Sequence, residues 1–157
     1  MQITLVQMDE TGFQFFWNQS TRDYAEDKVK AGAWDAETAL TLSEEAMTRF
    51  LPEGLRTEGA YLYSVKETEG GAQAGYIWFN VAEGQMGREA FIYDIYIFEP
   101  FQGKGYGKQA LLALDEKARE MGVGKIGLHV FGQNTRAFEL YQKMGYLVTD
   151  ITMSKTL

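Results

Sequence analysis

The chain has no cysteine, one histidine and only two prolines in 157 residues. The missing cysteine excludes disulfides, a thiol nucleophile, iron–sulfur clusters and cysteine–zinc sites. A lone histidine, His129, excludes a multi-histidine metal site and an HExxH helix, so no metal is expected. Bases are scarce as well. Fifteen Lys and Arg face 22 Asp and Glu, a net charge of −7. That leaves no basic footprint for nucleic acid or an anionic membrane. It mildly favours a cationic partner. No apolar stretch is long enough to span a bilayer. Residues 1–7 lack the cationic start and apolar run of a secretory signal. A cytoplasmic protein is expected.

What is present is ordinary for a globular chain: 45% apolar and 24% charged residues. The length suits one domain spanning 1–157. Residues 2–7 alternate Ile3 and Leu5, the period of a strand. Asp9 or Thr11 can cap a helix in which Phe13, Phe16, Trp17, Ser20 and Tyr24 recur at helical spacing, ending at Gly32. Asp35 opens a second helix, with Ala39, Leu42, Ala46 and Phe50 on one face. Residues 59–66 and 73–81 are β-rich, joined by a hairpin at Gly70 and Gly71. Residues 89–98 form a strand. A glycine cluster follows, then a helix to about Gly122 with Leu111, Leu114, Ala118 and Met121 on one face. Residues 125–131 form a further strand. Asn134 caps a helix ending at Gly145, and residues 146–157 read as a closing strand, single or split. The order β-α-α-β-β-β-α-β-α-β(-β) predicts a mixed α/β (α+β) fold, a mixed sheet with helices on both faces.

The segment from Glu99 to Lys108 joins a strand to a helix. Gly103, Gly105 and Gly107 let successive N–H groups turn to one point without Cβ clashes. The helix start adds unpaired N–H groups and partial positive charge. Together they suit an anion, most naturally a pyrophosphate. A Walker A loop needs four residues between Gly and Gly-Lys, and here there are three, with Gln109 in place of Ser or Thr. A GxGxxG fingerprint would need glycine at Lys108.

Gln102-x-x-Gly105-x-Gly107 resembles the acetyl-CoA loop [RQ]-x-x-G-x-[GA] of the GNAT N-acetyltransferase superfamily. A second stretch, Asn134-Thr-Arg-Ala137-Phe-Glu-Leu140-Tyr141-Gln-Lys-Met-Gly145-Tyr146, resembles that family's N-x-x-A-x-x-L-Y-x-x-x-G-[FY]. The two fall in the family's order and spacing. The resemblance implies a central twisted sheet with a splayed strand pair. It implies an acceptor-side half over 1–88 and an acetyl-CoA half over 89–157. By the same resemblance, the backbone of Ile95, Tyr96 and Ile97 would pair with the pantetheine arm. Gln102, Gly103, Lys104, Gly105, Tyr106, Gly107 and Lys108 would hold the pyrophosphate. Asn134 would touch the cofactor, a role compatible with capping its helix. Tyr141 would act as general acid on the CoA sulfur, and a phenol with a pKa near 10 suits protonation of a departing thiolate. Its bland alternative is a core aromatic.

The base is open between two residues. Many members place a carboxylate on the splayed strand, where Asp94 sits. An acid amid Ile92, Tyr93, Ile95 and Tyr96 needs a partner or a function. Some relatives carry a glutamate base where this chain has His129, whose ordinary pKa suits proton uptake. The competing roles are a structural hydrogen bond for Asp94 and a packed ring for His129. Trp17, Tyr24, Trp34, Tyr61, Tyr63, Trp78 and Phe79 supply either an acceptor pocket or core. The implied function is transfer of acetyl from acetyl-CoA to a primary amine, small molecule or peptide, by direct attack in a ternary complex. A non-catalytic acyl-CoA-binding module and a different acyl-CoA donor are the alternatives. Monomer and homodimer are equally compatible with the sequence.

Overall fold

The computed structural model describes residues 2–157. Its elements are β1 (Ile3–Gln7), α1 (Glu10–Lys30), α2 (Ala39–Phe50), β2 (Ala60–Glu67), β3 (Gln73–Gly84), β4 (Gly87–Ile97), α3 (Tyr106–Glu120), β5 (Lys125–Leu128) and α4 (Thr135–Lys143). Asp9 starts α1: its Oδ1 accepts from the Gly12 N–H at 2.7 Å. Gly32, with φ of 76°, follows its end. Asp35 forms a turn instead of opening α2, with its carboxylate accepting from the Glu37 N–H at 2.9 Å. The helix starts at Ala39.

The five strands lie in the order β1-β2-β3-β4-β5. The first three pairings are antiparallel and β4–β5 is parallel. On one face α3 packs Tyr106, Ala110, Leu111 and Leu114 against Val65, Ile77, Phe79 and Ile92. On the other, Phe16 of α1 and Met47 of α2 pack against Leu62, Tyr76 and Trp78. Phe16 is fully buried and meets Tyr76 and Trp78 edge-on at 5.1 and 5.7 Å. The Ser43 hydroxyl donates to the Thr21 carbonyl at 2.6 Å and ties α2 to α1.

One irregularity in β4 governs the site. Trp78 faces Asp94 while Phe79 faces Ile92, so Tyr93 is an extra residue, a β-bulge. A one-residue insertion resets which side chains face which way. Ala90 and Ile92 lie on the α3 face, and beyond the bulge Ile95 and Ile97 take that face. Tyr96 packs with Tyr76 and Trp78 on the α1 face. Asp94 shares the α1 face and meets Ser20 of α1.

Two further expectations are corrected. Residues 125–131 are not one strand. β5 ends at Leu128 because the opposite strand turns away after Ile92 and leaves no ladder partner. The closing strand over 146–157 does not form either. Leu147, Ile151 and Met153 alternate as a strand should, yet they are 87%, 77% and 88% exposed. A strand pattern needs an edge to pair with, and the β5 edge is four residues long.

Gly75 of β3 lies opposite Ile97 of β4, with β4 backbone close against its Cα. A Cβ there would overlap the Tyr96 carbonyl oxygen and crowd the Ile97 Cα. We expect Gly75→Ala to destabilise the protein by about 1–3 kcal/mol, as overpacking does. Thermal unfolding reads this as a fall of roughly 3–10 °C. An unchanged midpoint would mean the two strands can part without cost.

Candidate active site

The β4–β5 ladder runs only from Glu89–Lys125 to Ile92–Leu128. It stops where the bulge begins. Past that point the two strands diverge, and β4 has no parallel neighbour over Ile95, Tyr96 and Ile97. A cavity of about 360 Å³ occupies this side of the molecule, a size suited to a small ligand. Its lining brings together Ser20, Asp23 and Asp27 from α1, Asp94 from β4, His129 just past β5, and Tyr141 from α4.

Asp94 is held from two sides. The Ser20 hydroxyl donates to its Oδ2 at 2.6 Å and the Tyr76 hydroxyl donates to the same oxygen at 3.2 Å. Burial penalises the charged carboxyl and pushes its pKa up to about 6, against the pull of the Ser20 and Tyr76 hydrogen bonds. Asp23 adds like-charge repulsion in the same direction. Tyr141 is also desolvated, and with the negative charge of Asp94 nearby its phenol is pushed up to about 12. A phenol held so far above neutral pH keeps its proton and can donate it. A carboxyl near 6 is ionised at neutral pH and can accept one.

The other sequence candidates separate. His129 lines the cavity but is exposed, with its ring edge-on to Phe131 at 4.9 Å. The Asn134 side chain caps α4, accepting from the Ala137 N–H at 3.4 Å, and also borders the cavity. In the loop before α3, Gly103 and Gly105 take φ of 78° and 80°, the left-handed region. Gly105 caps α3 without any side-chain hydrogen bond, so the first-turn N–H groups have no side-chain acceptor. The Gln102 side chain donates to the Ile97 carbonyl at 2.8 Å and pins the loop to the end of β4. The Lys104 ammonium lies over Phe101 and Tyr106, 5.5 and 6.0 Å from their ring centres. Lys108 is exposed. The side chain of Tyr106 points elsewhere: it is buried and its hydroxyl donates to Glu67. Only its backbone is left for the loop. An open strand backbone beside an uncapped helix start fits an extended amide arm followed by a pyrophosphate.

Among the aromatics, Tyr24 and Trp78 line the cavity. Tyr61, Tyr63 and Phe79 stack with one another on the α3 face. Several further lining residues carry no sequence signal as site residues, among them Asp23, Asp27, Phe50 and Tyr93. Ser20 was seen only as part of an apolar stripe. A lone hydroxyl in such a stripe, and two carboxylates four residues apart on one helix, were the available signals.

A mixed sheet whose parallel pair parts beside a cavity defines a class of fold, and comparison with known proteins agrees. The model of the acetyltransferase (GNAT) family matches residues 13–146, and the chain belongs to that family. It is an acetyltransferase. It is 45% identical over 157 residues to the uncharacterized N-acetyltransferase YycN of Bacillus subtilis, covering the whole of both chains. It is 37% identical over 157 residues to YdgE of the same organism, covering 100% of this chain and 99% of that one. The crystal structure of YycN superposes with a TM-score of 0.94 at 44% identity, over 99% of this chain and 98% of that chain. Among the described residues no helix is long and apolar enough to cross a membrane.

The raised pKa of Asp94 carries a stability consequence. Between its unfolded value of 3.8 and about 6, the folded state holds a proton that the unfolded state releases. Stability therefore falls as pH rises through that window, by at most about 3 kcal/mol. Asp94→Asn keeps an oxygen for Ser20 and Tyr76 without the charge. We expect its melting temperature to exceed that of the parent at pH 7.5, with the gap closing by pH 4. A gap independent of pH would show that Asp94 is not desolvated.

Proposed function

We propose that the protein transfers an acetyl group from acetyl-CoA to a primary amine by direct attack in a ternary complex, with Asp94 as base and Tyr141 as acid. The observation that carries this reading is that these two groups, one titrating below neutral pH and the other well above it, border one cavity beside the strand gap. Acetyl-CoA supplies the thioester. The Ile95–Ile97 backbone fits its pantetheine arm, and the loop over 103–108 with the start of α3 fits its pyrophosphate.

Residue by residue, the roles are these. The acceptor enters as an ammonium ion, and Asp94 takes the proton that must leave before nitrogen can attack. The new N–C bond forms as the C–S bond breaks. Tyr141 gives its proton to the departing sulfur, and the second proton that nitrogen sheds as the amide forms passes through solvent to restore the phenol. Ser20 and Tyr76 hold Asp94 in place and are positioning residues. His129 is exposed and without a fixing hydrogen bond, which favours Asp94 as the base. Residues 1–88 supply the acceptor wall through α1 and α2, and residues 89–157 the donor site.

A non-catalytic sensor would need the donor site but neither titrating group. Tyr141→Phe separates the readings. We expect kcat to fall by about 10²–10⁴-fold, the usual span for general acid–base catalysis, with the KM for acetyl-CoA within about threefold of the parent. Steady-state kinetics with thiol detection measures both. An unchanged kcat removes Tyr141 from the chemistry. A loss confined to KM makes it a binding residue.

A further inference from the structure

The α1 side of the cavity carries charge that the acetyl-transfer chemistry does not use. Asp23 and Asp27 lie one turn apart on α1, both half-buried and both lining the cavity. Neither forms an ion pair. Among the described residues the only ion pairs are Arg88–Glu83 and Arg119–Glu116, both at the surface. Asp23 accepts only from the Gln19 amide, at 3.0 Å. Desolvation is the largest influence on both carboxyls and raises their pKa values, and their mutual repulsion raises that of Asp27 further. Lys30 acts on both carboxyls and Arg22 on Asp23, each less than desolvation does and neither as an ion pair, and half-buried acids without a paired cation cost stability. A cation supplied from outside would offset that cost.

The rest of the lining narrows the ligand. Lys28 borders the cavity too, but its ammonium sits over the rings of Tyr24 and Trp34 at 5.6 and 5.4 Å. The lining holds no arginine to receive a carboxylate. Facing α1 is an aromatic wall, with Tyr93 stacked on Trp78 at 4.7 Å and Phe50 beside Tyr93 at 5.3 Å. Flat aromatic faces accept a methylene chain and attract an ammonium group.

We propose that the acceptor is an aliphatic diamine or polyamine: Asp23 and Asp27 bind its second ammonium group, its carbon chain lies on Phe50, Trp78 and Tyr93, and its reacting amine faces Asp94. This rests on the transferase reading and adds the substrate class to it. An amino acid or a peptide chain would bring a carboxylate or a run of amides up against two carboxylates, and Lys28, seated over Tyr24 and Trp34, is the one Lys or Arg in the lining.

The test compares kcat/KM for 1,4-diaminobutane, longer diaminoalkanes, butylamine, ornithine and a lysine-containing peptide, with acetyl-CoA saturating. We expect the best diamine to exceed butylamine and ornithine by at least about tenfold, the scale of one charge-assisted hydrogen bond. In Asp23→Asn and Asp27→Asn that preference should shrink toward unity. A thermal shift with acetyl-CoA confirms that each variant is folded with its donor site intact. Equal use of butylamine and diamine, or preference for ornithine or the peptide, would overturn the subsite while leaving the transferase standing. If no amine is acetylated, the transferase reading falls. The subsite is then decided by calorimetric titration of the diamines into the CoA-saturated protein. Binding that weakens about tenfold in the Asn variants supports it, and no binding overturns it.

Discussion

A single extra residue, Tyr93, turns Asp94 from the α3 face of the sheet to the α1 face. Without that bulge, alternation would carry Asp94 into the apolar cluster of Ile92, Phe79 and Leu114, with no donor to meet it. With it, the carboxyl reaches Ser20 on α1. The parallel ladder to β5 ends at the neighbouring residue, Ile92. The same local irregularity therefore coincides with the opening of the strand gap and with the aiming of a carboxylate at its edge. Bulges beside active sites do both kinds of work.

Two opposed effects set the state of Asp94. Desolvation favours the neutral acid, while two hydroxyl donors favour the carboxylate. Burial is the larger influence, yet the hydrogen bonds hold the balance near 6, where the group is charged at neutral pH and still a useful base. Tyr141 meets the same desolvation and shifts in the same direction, but from a phenol's higher ordinary pKa the result is a group that keeps its proton at neutral pH. One dry environment thus produces an acceptor and a donor of protons from two side chains. The remaining carboxylates, Asp23 and Asp27, lie farther along α1 and make the cavity anionic beyond what proton transfer requires.

Much of this was legible in the residues, for identifiable reasons. The glycine loop and the helix begun by Asn134 were legible because left-handed glycines and caps leave strong local signatures, while the donor-side roles came from resemblance to the GNAT motifs. Tyr141 and Asp94 followed from their positions on elements so located. Tyr106 did not follow. Its place in the loop motif said nothing of a side chain that turns inward to Glu67. The bulge was written in the sequence as the shift from Ala90 and Ile92 to Ile95 and Ile97, a phase change that simple alternation overlooks. Asp23 and Asp27 carry no sequence signal beyond two carboxylates one helical turn apart, because the cavity they line takes its other walls from residues distant in the chain. The terminal segment 146–157 has a strand's pattern but no matching length of edge, and pairing is a tertiary property that composition cannot supply.

The hydrogen bond from Ser20 to Asp94 joins the acceptor helix to the proposed base, and its removal tests the central claim most directly. Ser20→Ala withdraws a donor that favours the charged carboxylate. If Asp94 is the base, the acidic limb of the pH profile of kcat/KM lies near 6 in the parent and moves to higher pH in the variant. The thermal shift with acetyl-CoA should persist. A limb that stays in place, in a variant that still binds acetyl-CoA, would mean the proton leaves by another route and that Asp94 is a structural acid.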